Sequence, residues 1–233
     1  MGDQTAIKKL NVVLFIPGHI KINEQVEMIQ HKESLRQQIL NKNIPWLNFK
    51  LIYSFDDLDI DVNIHNLRVD HVFNLLKYQR KGIVFPTKVA IKYAYSLFGN
   101  NCLFIRMGQD IDINIDKLIN RLNICRHNLN ENYIIGKYET EYNFRLCWKC
   151  LPAKERNLID DKWRFIQGNL LIAPIQTWND YYFKLPESIY HYADDSILSW
   201  IISSHNGKLI GIDQFWHHYE NNDTWLKGGI TYV

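Results

Sequence analysis

The chain has 233 residues, 46% hydrophobic and 22% charged, with a formal net charge of +2. This length suits one α/β domain with a substantial core, and the composition is that of an ordinary globular protein. So small a net charge gives no case for a stable nucleic-acid partner, and no apolar run approaches the roughly 20 residues of a membrane span.

The N-terminal stretch MGDQTAIKKLNVVLFIPG carries a short apolar run closed by Pro17-Gly18, with no small-residue cleavage site after it. It reads as a first buried strand and not as a signal peptide, so a cytoplasmic protein is expected. Glu24 to Leu40 predicts an amphipathic helix carrying Val26, Ile29, Leu35 and Ile39. A second strand, FKLIYS (49–54), ends in Asp56-Asp57. Residues 58–70 have no clear period, and Val72 to Leu76 reads as helical. Pro86 suits the first turn of a helix that runs to about Phe98 and stops at Gly99-Asn100.

Cys102 to Met107 is the next strand, followed by an acidic turn and a helix from about Ile115 to Cys125. Tyr133–Gly136 and Phe144–Trp148 are candidate strands, Arg164–Ile172 another, and a helix follows from Ile175. Asp194 to Ser204 predicts a further helix stopped by Asn206-Gly207, and KLIGI (208–212) reads as the last strand. Alternating strands and helices imply α/β: one domain over residues 1–233, a mixed, mostly parallel sheet flanked by helices on both faces. Residues 1–100 are expected to form mainly the nucleotide-binding half, and 101–233 the metal and acceptor half. The four cysteines make no disulfide framework, and the lone C-x-x-C at Cys147 and Cys150 lacks the second pair of a zinc site.

In such sheets ligands bind beyond the carboxyl ends of the strands, where Asp56, Asp57, Asp110 and Asp112 fall. Asp110-Ile111-Asp112 is a D-x-D after a buried strand, a pattern suited to a divalent ion carrying a diphosphate; helix N-capping by Asp112 or Asn114 is the plain alternative. Asp194-Asp195 stand at a helix start, where they could cap it or supply a general base. His217 and His218 follow the last predicted strand; manganese accepts imidazole as well as oxygen ligands.

Together these segments resemble the GT-A glycosyltransferases, and within them the fringe-like β-1,3-glycosyltransferases. KVAIKY (88–93) is similar to the K-M-A-V-E-Y-type helix of that family, and LFIRMGQD (103–110) stands where it has a strand and D-D-D. FIQGNLLI (165–172) stands for its G-G-A-G segment, Asp194-Asp195-Ser196 resembles its P-D-D-x-T helix start, and FWHHYEN (215–221) its F-H-S-H-L-E-N. The likeness spans roughly residues 85–222, with a vaguer one at LIYSFDD. It departs where Gly108 and Gln109 replace the first two acids of D-D-D, where Trp216 replaces the first histidine, and where Gln167-Gly168-Asn169 keeps one glycine.

The resemblance implies a metal-dependent, inverting, hexosyltransferase-like enzyme that moves a sugar from a nucleotide-sugar, a UDP-sugar, to a hydroxyl of a glycan acceptor. Mn²⁺ or Mg²⁺ would be held by Asp110 and His218 with help from Asp112. Asp195 would be the base, leaving Asp194 as the cap, and Lys88, Arg106, Asp56, Asp57 and Gln109 would face the donor. Trp148, Trp163, Trp178, Trp216 and Trp225 are candidates for stacking on sugar, and residues 137–163 for an acceptor-side loop. The alternatives are a sugar- or nucleotide-binding module without turnover, a nucleotidyltransferase, and a glycosyltransferase acting on nucleic acid. Oligomeric state is not legible.

Overall fold

A computed structural model describes residues 9–17, 22–55, 71–74, 83–139, 165–185, 194–212 and 216–218. The first strand, β1 (Leu10–Pro17), pairs in parallel with β2 (Leu47–Phe55) on one side and β4 (Cys102–Met107) on the other. All six residues of β4 are buried, as befits a central strand covered on both faces. β3 (His71–Asn74) extends the sheet beyond β2. Beyond β4 come β9 (Leu170–Pro174), β6 (Tyr133–Gly136) and β10 (Lys208–Gly211), completing a seven-stranded order β10-β6-β9-β4-β1-β2-β3. Only β9 runs antiparallel to its neighbours in this sheet. It is a mixed, mostly parallel sheet, as expected.

Alternation along the strands divides the core in two. Val12, Leu14, Ile16, Leu103, Ile105 and Met107 face α1 (Ile22–Asn41) and α3 (Ile115–Cys125). Val13, Phe15 and Phe104 face α2 (Val84–Phe98), α4 (Ile175–Tyr181) and α5 (Asp194–Ser204). A 3₁₀ turn, Tyr182–Lys184, continues α4. Helices therefore cover both faces. Among the described residues, no helix is long and apolar enough to cross a membrane.

Helix ends follow local chemistry. Asn114 caps α3 by accepting from the Lys117 amide at 3.0 Å. Gly99 ends α2 at a φ of 53°, where a side chain would be strained.

Three sequence expectations change. Val72 to Leu76 is not helical in its described part: His71–Asn74 is strand β3, paired with Ile52 to Phe55. A short apolar run has no period that separates strand from helix, and an open sheet edge decided it. The single strand expected over Arg164–Ile172 is broken into β8 (Phe165–Ile166), which pairs antiparallel with β7 (Tyr138–Glu139), and β9 by a turn at Gln167–Asn169. KLIGI is not the last strand, because β11 (Trp216–His218) follows it. The candidate strand Phe144–Trp148 lies outside the described residues, as do Cys147 and Cys150; Cys102 and Cys125 are buried free thiols.

Candidate active site

The site is organised around the carboxyl end of β4. After Met107 the chain turns through Gly108–Asp110, closed by the Ile111 amide donating to the Gly108 carbonyl at 3.3 Å. It then runs into β5 (Ile111–Ile113). Asp112 accepts from the amide of Ile113 at 2.9 Å, so it does not cap α3; that role falls to Asn114. β11 pairs antiparallel with β5, setting Trp216 opposite Ile113, His217 opposite Asp112 and His218 opposite Ile111. A backbone ladder thus joins the D-x-D to the histidine segment about a hundred residues later. The register sets His217 opposite a carboxylate-bearing residue, and His218, expected as the ligand, opposite an isoleucine.

Two residues of α1 reach the same turn. His31 Nε2 lies 3.5 Å from Asp112 Oδ1. Lys32, with 0% exposure, donates to the carbonyl of Ile111, between the two aspartates. Burial lowers its pKa to about 8, against the raising fields of Asp112 and then Asp110, so it keeps its charge at neutral pH. Sequence reading missed Lys32. The available signal was its place in the stripe Ile29, Lys32, Leu35, Ile39, where helical spacing demands a core residue.

The second half of the site lies against the first through the turn at Gln167–Asn169. The Gly108 amide donates to the Asn169 carbonyl at 2.9 Å, and the Gly168 amide to Asp195 Oδ2 at 2.6 Å. The Ser196 amide holds the other oxygen, Oδ1, at 2.7 Å. One glycine turn therefore bridges the acidic turn and the start of α5. A Cβ on Gly168 would lie 2.9 Å from Asp195 Oδ2 and 3.0 Å from Arg106 Nη2, which explains why glycine stands there. Gly168→Ala should cost roughly 10- to 100-fold in turnover by displacing Asp195; kcat and melting temperature measured together will show the rate falling while Tm shifts only a few degrees.

Asp194 and Asp195, adjacent in sequence, occupy different environments. Asp194 is 2% exposed and ion-paired with Arg106, which is equally buried. It also accepts from the Tyr182 hydroxyl at 2.7 Å, while Arg106 Nη1 donates to that hydroxyl at 3.1 Å. This corrects two expectations: the Asp194 carboxylate is bound to Arg106 and Tyr182 instead of capping α5, and the Arg106 charge is committed to Asp194 inside the core. Asp195 is half-buried. Burial, and next the neighbouring Asp194, push its pKa up to about 7, against Arg106 and the two amides that stabilise its anion. A carboxyl poised near neutrality beside a strand-end site has the properties of a general base.

The remaining candidates scatter. Lys88 donates to the Leu185 carbonyl at 2.7 Å, at the far end of the 3₁₀ turn. Gln109 sits in the acidic turn, half-buried. Trp178 is core: 1% exposed, its indole N–H bonded to the Phe104 carbonyl at 2.9 Å and its ring edge-on to Phe104. It has no face left for a sugar. Asp56, Asp57, Trp148, Trp163, Trp225 and most of 137–163 lie outside the described residues.

Two carboxylates and an imidazole are the donor types that Mn²⁺ or Mg²⁺ accepts, and the D-x-D with the paired histidine strand fits that set in kind. The buried Lys32 charge beneath it works against high affinity, and among the described residues no three His, Cys, Asp or Glu side chains converge closely enough to hold a metal.

The mixed, mostly parallel sheet with helices on both faces is the fold seen in nucleotide-sugar transferases. The chain is similar to a Desulfovibrio desulfuricans G20 protein assigned as a nucleotide-diphospho-sugar transferase, with 12% identity over 88% of this chain and 80% of that one, at a TM-score of 0.51. It is similar to S. aureus TarS 1-349, with 15% identity over 90% of this chain and a TM-score of 0.53, and spans 60% of that chain. It is equally similar to a Bacillus anthracis protein assigned as a glucose-1-phosphate thymidylyltransferase, with 9% identity over 96% and 97% of the two chains and a TM-score of 0.50. No protein-family model and no curated protein matches the sequence.

Proposed function

We propose that this protein is an inverting glycosyltransferase that moves a sugar from a nucleotide-sugar, a UDP-sugar, onto a hydroxyl of a glycan acceptor. The observation that carries the reading is the Gly168 turn. It holds Asp195, a carboxyl of raised pKa, against the same strand end that bears Asp110 and Asp112. Asp195 takes the proton of the acceptor hydroxyl as its oxygen attacks the anomeric carbon; the bond from that carbon to the diphosphate breaks on the opposite face, and UDP leaves. Asp194 does no proton transfer here, because Arg106 and Tyr182 hold it, and it serves to position Asp195.

Mn²⁺ or Mg²⁺ would be held by Asp110 and Asp112 with His218 or His217 of β11, supplying charge stabilisation for the departing diphosphate. Gln109, Asp56 and Asp57 belong to the donor side of this reading. The order of motifs supports a fringe-like member of the class, acting in the cytoplasm on a glycan made there.

The similarity to a thymidylyltransferase favours one second reading, nucleotidyl transfer on the same fold. Products separate the two: a glycosyltransferase releases a nucleoside diphosphate, a nucleotidyltransferase pyrophosphate. The experiment is release of free UDP from a panel of UDP-sugars, with Mn²⁺ or with EDTA, by the wild type and Asp110→Ala. Metal-dependent release from one donor, reduced at least 100-fold by the substitution, is the expected result. Pyrophosphate release from a nucleoside triphosphate and a sugar phosphate would replace this reading with the second. A donor that raises Tm without being consumed would leave a binding module.

A further inference from the structure

A lysine with no exposed surface is an expensive residue to bury. Lys32 occupies a core position of α1, and its ammonium group donates to Ile111, the one residue between the two aspartates of the D-x-D. The fields it feels most are those of Asp112 and Asp110, and its neighbour in sequence, His31, lies 3.5 Å from the Asp112 carboxylate. An uncharged core residue at this position would leave the Ile111 carbonyl without this donor and take a positive charge away from behind the two carboxylates.

We propose that Lys32 is the resident counter-cation of the acidic turn, holding Asp110 and Asp112 in place before a divalent ion or a donor arrives. It is a positioning residue: fully enclosed behind the turn, it meets neither substrate nor leaving group. Its charge has a second consequence. A fixed positive charge beside two carboxylates lowers their affinity for any further cation, so the turn is preformed but binds metal weakly. This second consequence rests on the transferase reading; the first does not.

The test uses the full chain stripped with EDTA, as wild type, Lys32→Met, Asp112→Asn and the double variant, with Tm measured for each and Mn²⁺ affinity then measured by the loss of free-ion EPR signal. Lys32→Met should lower Tm by about 3–8 °C, the effect of leaving the Ile111 carbonyl without this donor and the two half-buried carboxylates without this charge. Adding Asp112→Asn should restore at least half of that loss. Mn²⁺ should bind Lys32→Met about tenfold more tightly than wild type, a change that loss of packing alone would not produce. If Lys32→Met does not fold, folding of the double variant gives the same support. Additive losses in Tm with unchanged Mn²⁺ affinity, or a double variant that also fails to fold, overturn the proposal. Coupling between Lys32 and Asp112 with no Mn²⁺ bound by any variant upholds the counter-cation and removes the metal from the transferase reading.

Discussion

Asp195→Asn should abolish sugar transfer, by about 10²- to 10⁴-fold in kcat, and at the same time gain stability relative to wild type as pH rises from 4 to 8. The first effect follows from the proposed role of Asp195 as base. Asparagine keeps the shape and an oxygen for the Gly168 amide, though not an acceptor for the Ser196 amide as well, and it cannot take the proton; donor affinity should stay within a factor of a few. In the wild type kcat should rise with pH through about 7, because the base works only as its anion.

The second effect has the opposite sign from the usual carboxylate. The Asp195 pKa lies above its ordinary 3.8 because burial and Asp194 disfavour its charge. The folded state therefore binds the proton more tightly than the unfolded state. Stability is lost as pH rises from about 4 to about 7, and stays lost above. Asparagine carries no charge, but its NH2 meets the Ser196 N–H where Oδ1 accepted it; the variant should therefore melt below wild type at pH 4 and make up about 2–5 °C of that difference by pH 8. An inactive variant whose Tm deficit is the same at pH 4 and pH 8 would show that Asp195 is a structural residue.

Arg106→Met should be the most destabilising single change in the site. Arg106 and Asp194 are both enclosed, at 2% and 3% side-chain exposure, and the pair is completed by the Tyr182 hydroxyl. Removing the guanidinium leaves a carboxylate buried among Tyr182 and the apolar face of the sheet, which costs about 3–5 kcal/mol. For a chain of this size that is a fall of roughly 10 °C or more in Tm. The double variant Arg106→Met, Asp194→Asn should recover more than half of the loss, since no charge then remains unpaired. Thermal melts of the four proteins check this. Strictly additive losses would mean that Arg106 is held by packing and not by Asp194.

The two predictions together separate roles that the sequence leaves joined. Asp194-Asp195 reads as one acidic pair at a helix start, with either residue able to cap or to catalyse. The fold divides them because successive residues at the first turn of a helix point about 100° apart. One then enters the core against Arg106, while the other meets the Gly168 amide. The assignment of Asp195 as base was reachable from sequence only by supposing that Asp194 was a cap. The structure instead binds Asp194 to Arg106 and Tyr182.

What the sequence by itself determined was the order of the long strands and helices and the strand end that carries the acids. Hydrophobic runs such as LNVVLFIP and CLFIRM are long and unbroken, and burial on both faces requires that pattern whatever surrounds it. The helix stops at Gly99 and Asn206-Gly207 are likewise local, set by backbone geometry one residue at a time. Only the tertiary structure decided the rest. Val72 and Phe73 became a strand because an edge of β2 was open to them. Trp178 went to the core because Phe104 offered its carbonyl. Lys32 became part of the site because α1 packs over β5. Each depends on a partner 19 to 79 residues away. Periodicity records which side of an element is apolar, but not which distant polar group that side will meet.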